Sequence, residues 1–121
     1  MAWSFDSKSP VSFQIANAIR LDILTGKYKP GEQFPTVRQL ACDASVNPNT
    51  VQKSLSILEG EGLLITQSTS GRFVTNDTDV INKALLKMQG EYIKKVISDG
   101  IALGITKEKF IEILSKGDED K

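Results

Sequence analysis

The chain has 121 residues, 15 basic and 15 acidic, so it is formally neutral, and it contains no histidine. A hydrophobic content of 40% suits a globular protein of one domain plus an appendage. Without histidine the commonest general base and metal ligand is missing, and a lone Cys42 can form neither an internal disulfide nor a Cys–His nucleophile, so catalysis, a metal and a cofactor are not expected. Residues 1–75 carry seven basic and six acidic side chains and residues 76–121 eight and nine. Neither half is a basic patch, so any nucleic-acid site has to come from local arrangement. With no signal peptide and no apolar stretch long enough for a membrane, the expected place is the cytoplasm.

Trp3 and Phe5 precede the first helix as a clasp. Ser9 and Pro10 open that helix, which runs to about Thr25 with Ile15, Ile19 and Ile23 as one apolar stripe. Gly26 fits its left-handed end, Pro30-Gly31 marks a turn, and Glu32 to Phe34 reads as a short extended piece. Thr36-Val37-Arg38-Gln39 is a capping box that starts a second helix ending near Ala44. Cys42 on this helix reads as an inert packing residue. After a tight turn at Ser45-Val46, Asn47 is the N-cap and Pro48 the first residue of a third helix reaching Glu59. Its Val51, Leu55 and Leu58 face a core, and Asn49, Gln52, Lys53 and Ser56 face away. Leu63-Leu64-Ile65-Thr66 and Arg72-Phe73-Val74 then read as two strands of a hairpin around Ser68–Gly71.

The expected fold is mainly α with a small β-hairpin: a winged helix-turn-helix domain over residues 1–75, followed by a two-helix C-terminal dimerisation extension over residues 76–121. A long amphipathic helix is expected from about Asp79 to Leu103, with Ile81, Leu85, Met88, Tyr92 and Val96 advancing by 4, 3, 4 and 4 as a helix–helix seam. Gly104 stops it, Thr106 caps a last helix, and Phe110, Ile113 and Leu114 give that helix an apolar face. Two helices cannot bury a core alone, so they need either the winged domain, on which the Ile81–Val96 stripe could dock, or a second copy of the chain, which is the expected partner.

In a helix-turn-helix the second helix crosses the DNA backbone and the third lies in the major groove. Asn47, Asn49, Thr50, Gln52 and Lys53 supply the groups that geometry requires: amides that match the adenine edge, and an ammonium for guanine or phosphate. The same side chains also fit the solvated face of an amphipathic helix. Arg38 could fork onto a phosphate or pair with Asp43 or Glu59. Thr36 caps its helix and, with the helix N-terminus, suits an anion. In the wing, Gly71 fits either close backbone approach to DNA or a plain hairpin turn, and Arg72 could reach a phosphate or the minor groove.

Several segments in order resemble the DNA-binding half of the GntR family of bacterial regulators: PVSFQIANAIRLDILTGKYKPGE, FPTVRQLA, and VNPNTVQKSLSILEGEGLL. Carried over by position, the resemblance implies DNA contacts at Thr36, Arg38, Asn49, Thr50 and Gly71. Thr36 replaces the usual Ser, Pro48 and Gln52 stand where many relatives have basic residues, and Thr69-Ser70-Gly71 replaces a Gly-x-Gly wing. Ala44-Ser45 replaces a Leu-Gly turn, and a positive φ at Ser45 would cost about 1–2 kcal/mol. The Asn-Pro-Asn-Thr-Val string and the 46 residues remaining after Thr75 resemble the short YtrA-like branch. That resemblance implies a transcription regulator; the two uncovered helices point to a homodimer on a palindromic double-stranded operator, and a repressor is expected in preference to an activator because no region suits recruiting polymerase. Transporter operons of the ABC class are the implied targets, and an unknown small-molecule effector is an open partner. The rival reading is a winged-helix module that binds protein and no DNA; salt-weakened DNA binding separates the two.

Overall fold

The computed structural model describes residues 3–117. In chain order these form α1 (Val11–Leu24), α2 (Val37–Ala44), α3 (Pro48–Gly60), β1 (Leu64–Thr66), a 3₁₀ turn (Ser68–Ser70), β2 (Arg72–Val74), α4 (Thr78–Ala102) and α5 (Lys107–Lys116). The chain divides into two compact units, the first ending at Leu85 and the second beginning at Leu86. The division lies inside α4, so its first two turns, expected in the second region, pack with the first.

Each helix of the first unit ends where local chemistry stops it. Gln14 ties the preceding segment to α1, its amide donating to the carbonyls of Ser9 at 2.8 Å and Asp6 at 3.0 Å. Trp3 and Phe5 stack on each other with ring centroids 5.9 Å apart. The far end of α1 is closed by the Thr25 hydroxyl on the Leu21 carbonyl and by Gly26 at φ 86°. The Thr36 capping box is complete: the Gln39 N–H donates to Thr36 Oγ1 at 3.1 Å, and the Thr36 N–H donates to Gln39 Oε1 at 2.8 Å. Ser45 does take the left-handed conformation, φ 55° and ψ 47°. Cys42 is exposed, which corrects its reading as a packing residue. The inward face of α2 is supplied by Leu40, Ala41 and Ala44, and Cys42 lies off that face.

The core is the meeting of α1 with α3. Ile15, Ile19 and Ile23 are buried against the α3 side, where Val51, Leu55 and Leu58 are 0% exposed. Ser54 is equally buried, its hydroxyl donating to the Ser12 carbonyl at 2.7 Å and sharing the Thr50 carbonyl at 3.0 Å. A small side chain there lets the helices approach and leaves no unmet polar group.

The hairpin pairs Leu64↔Val74, Ile65↔Phe73 and Thr66↔Arg72. The expected extended piece lies along the free edge of β2: Gln33 bridges to Phe73, the Phe34 N–H donates to the Arg72 carbonyl at 2.8 Å, and the Val74 N–H donates to the Glu32 carbonyl at 2.9 Å. Gly31 begins this edge at φ 80°, where a Cβ would meet the Asn76 side chain.

In the second unit the remainder of α4 turns back into α5 through Gly104 at φ 84°, and Thr106 caps α5 by accepting from the Lys109 N–H at 3.2 Å. Gly100 makes room for the Phe110 ring. Between the two helices lies an open apolar groove of about 580 Å³, with Tyr92, Val96, Ile97, Ile101, Phe110 and Leu114 among its walls. Among the described residues, no helix is long and apolar enough to cross a membrane.

Candidate nucleic-acid interface

The third helix separates its side chains cleanly. Val51, Ser54, Leu55 and Leu58 are buried, while Asn49, Gln52, Lys53 and Ser56, spaced three, four and seven apart, are all exposed on one face. Asn47 starts the helix, its Oδ1 accepting from the Asn49 N–H at 2.8 Å. Its carbonyl oxygen is therefore used by the cap, and its amide donors remain to meet a ligand. Gln52 Nε2 donates to Ser56 Oγ at 3.4 Å, a long bond that aligns the amide along the helix and leaves its oxygen free. Thr50 is half-buried, its backbone carbonyl receiving the Ser54 hydroxyl.

The second helix contributes Thr36 and Arg38. The Thr36 hydroxyl is committed as a hydrogen-bond acceptor to the cap, leaving its own hydrogen to donate. Arg38 is exposed and, among the described residues, has no carboxylate partner. Asp43 makes no ion pair with it, and Glu59 is engaged elsewhere. Arg38 and Lys53 are thus the exposed cations of α2 and α3.

The wing differs from expectation at Arg72. Its guanidinium is half-buried, with Nε donating to Glu59 Oε1 at 2.7 Å, while the Thr66 hydroxyl donates to Glu59 Oε2 at 2.7 Å. Burial raises the Glu59 carboxyl, but the bonds from Thr66 and Arg72 and the Arg72 charge outweigh it and leave the group below its ordinary value. Gly71 is exposed at φ 100°, and Ser68 also has a positive φ, 48°. The tip is tied to the edge strand by Gln33 Nε2, which donates to the Ser70 carbonyl at 3.1 Å.

A second ion pair holds the exit of α3. Arg20 of α1 forks onto Glu61, Nε to Oε1 at 2.7 Å and Nη2 to Oε2 at 2.6 Å. The hydrogen bond to Glu61 is the main reason the guanidinium is held above its ordinary value, against a smaller lowering by burial. Sequence reasoning found the capping residues and the exposed face of α3 but missed Ser54, Gln33, Arg20–Glu61 and the engagement of Glu59. These are pairings between distant residues, with no local signal.

The residues expected to form the seam differ in exposure within the single chain. Ile81 is 9% exposed and lies in the first unit, so its side chain already has a core within the single chain. Leu85 and Met88 are half-buried, whereas Tyr92 and Val96 are exposed at 66% and 38%. Ile93, Ile97 and Ile101, one residue along from the expected row, are exposed too. On α5, Phe110 and Leu114 face the groove together with Ile111, while Ile113 is absent from its walls.

Residues 12–74 match the family described as bacterial regulatory proteins, gntR family. The HTH-type transcriptional repressor YtrA of Bacillus subtilis is 34% identical over 107 residues, which covers 88% of this chain and 82% of that one. A GntR family transcriptional regulator from Listeria monocytogenes has a similar structure, with a TM-score of 0.86 and 33% identity over 93% of this chain and 98% of that one. The DNA-binding domain of AraR in complex with operator ORE1 has a TM-score of 0.54 and 27% identity over 62% of this chain and 94% of that one. A family match over more than half the chain, on a winged helix-turn-helix whose third helix presents a polar face, identifies the chain as a transcription regulator of the GntR family, of the short YtrA type.

Proposed function

We propose that the protein is a repressor that binds a palindromic operator as a homodimer, with α3 in the major groove of each half-site. The observation that carries this reading is the α3 face of Asn49, Gln52, Lys53 and Ser56, wholly exposed opposite a side buried at 0%. Asn49 and Gln52 offer both an amide donor and an acceptor to base edges, and Lys53 donates to guanine or phosphate. Arg38, Thr36 and the first amides of α2 take the backbone phosphates, and the amide of Asn47 and the hydroxyl of Thr50 flank the reading face. Gly71 lets the wing tip come close to the duplex.

Dimerisation is supported by the apolar rows of α4 and α5, which stay exposed among the described residues of one chain. Repression is supported by the name of the Bacillus subtilis relative and by the absence, in the described residues, of a region suited to recruiting polymerase. A protein reading chromosomal DNA works in the cytoplasm. Binding to duplexes selected from a random pool, followed by fluorescence anisotropy against a scrambled duplex at two salt concentrations, tests the reading. Selective, salt-weakened binding at two protomers per duplex is expected; binding that ignores sequence would overturn it. A reporter behind the selected operator should rise when the gene is deleted.

A further inference from the structure

A winged domain holds DNA with two parts, the third helix and the hairpin, and here a single carboxylate joins them. Glu59 lies in the last turn of α3 and accepts from both strands of the wing, from Thr66 at the end of β1 and from Arg72 at the start of β2. Those two residues oppose each other in the register pair nearest the turn. We propose that Glu59 is a positioning residue for DNA binding, fixing the wing against α3 through Arg72 and Thr66, and that Arg72 serves this brace instead of anchoring a phosphate. The inference rests on the DNA reading above.

Three observations support it. The Arg72 side chain is 20% exposed and its Nε is already used, while the adjacent carboxylate cancels most of its attraction for a phosphate. A carboxylate in the last turn of a helix opposes the helix dipole, so Glu59 is favoured there only with partners, and it has two. The Glu59 carboxyl is held below its ordinary value and stays ionised wherever DNA binding would be measured. On the opposite side, Gln33 holds the tip through the Ser70 carbonyl, so the brace at Glu59 completes a two-sided grip.

The test turns on a difference of sign. An acidic group in a DNA-binding domain repels phosphates, so if Glu59 acts only by its charge, its removal tightens binding. If it positions the wing, removal weakens binding. The full chain is compared as wild type, Glu59→Ala, Glu59→Gln, Arg72→Ala and the double variant Glu59→Ala/Arg72→Ala, on a duplex selected from a random pool by the wild type, across a series of KCl concentrations. Glu59→Ala and Arg72→Ala should each weaken binding about tenfold, as expected for loss of a charge-assisted bond, with the salt slope unchanged. The double variant should be no weaker than either single one, and Glu59→Gln, which can still accept from Arg72, should fall between Glu59→Ala and wild type. Equal or tighter binding by Glu59→Ala overturns the brace. So does a fall of about two in the salt slope for Arg72→Ala, the mark of one lost phosphate contact in each of two protomers. Amide hydrogen exchange without DNA gives a separate reading: residues 64–66 and 72–74 should exchange faster in Glu59→Ala while α1 stays protected. Unchanged exchange in the hairpin overturns the brace as well. If α1 also loses protection, Glu59→Gln carries the same comparison. A wild type that enriches no duplex overturns the DNA reading alone, and hydrogen exchange then decides the brace.

Discussion

Ser45 pays for the turn between α2 and α3 with its own backbone. Its left-handed φ of 55° and ψ of 47° are imposed by two closing bonds, from its N–H to the Cys42 carbonyl at 3.3 Å and from the Val46 N–H to the Ala41 carbonyl at 3.1 Å. A side chain with a Cβ loses about 1–2 kcal/mol in this conformation. Glycine would avoid that strain but lose about 0.5–1 kcal/mol of backbone entropy on folding. Ser45→Gly should therefore stabilise the protein by roughly 0.5–1 kcal/mol, read as a higher urea midpoint with an unchanged m-value. Glu59 makes a prediction in pH. Its folded pKa is depressed, so its contribution to stability is full above the ordinary value of 4.5 and is lost as pH falls below that value. Stability measured by urea unfolding should fall less steeply below about pH 4.5 in Glu59→Gln than in the wild type. Ser45 and the Thr36 box were legible because both rest on contacts within five residues. The Glu59–Arg72 bond joins residues 13 apart, on a helix and a strand, and no local pattern announces it.

At the scale of elements, the order of three helices and a hairpin could be read because each helix carries its own stripe, α2 and α3 carry their own N-caps, and Gly26 ends α1. The Glu32–Phe34 piece was legible as extended, but its pairing with β2 depends on tertiary closure and was not. The long helix shows where periodicity misleads. Ile81, Leu85, Met88, Tyr92 and Val96 form one regular row, yet α4 crosses from one compact unit into the next at Leu85. Its early turns face a core that already exists and its later turns face none, and a hydrophobic period cannot tell those two environments apart. Ile81→Ala should destabilise the first unit by about 2–3 kcal/mol, as truncation of a buried isoleucine does, and leave the oligomeric state unchanged. A change of mass by light scattering, with the unfolding midpoint intact, would place Ile81 in the seam.

At the scale of the whole molecule, neutrality and symmetry are linked. With Glu59 and Glu61 matched by Arg72 and Arg20, the exposed cations on the DNA-reading elements are Arg38 and Lys53. In the proposed homodimer, two phosphates neutralised per protomer should give a slope of log affinity against log salt of about −4, far shallower than that of a strongly basic repressor. The dimer should depend on the rows left bare on α4, where Ile97 is 44% exposed and lines the groove with Ile101 and Phe110. A charge at that position costs little in the free chain, where the side chain is already in water, and much in an apolar interface. Ile97→Asp should therefore leave the unfolding of the first unit in place while light scattering reports a monomer. Its affinity for the selected duplex should drop, and its salt slope should halve to about −2, because only one half-site remains engaged. A monomer that kept the full slope would mean that both half-sites are held by a single chain, which one third helix cannot do. A dimer that survived the aspartate would place the interface on another face. The salt slope thus reports on the groove of the second unit through the recognition face of the first, since the face of one protomer alone neutralises too few phosphates to hold an operator.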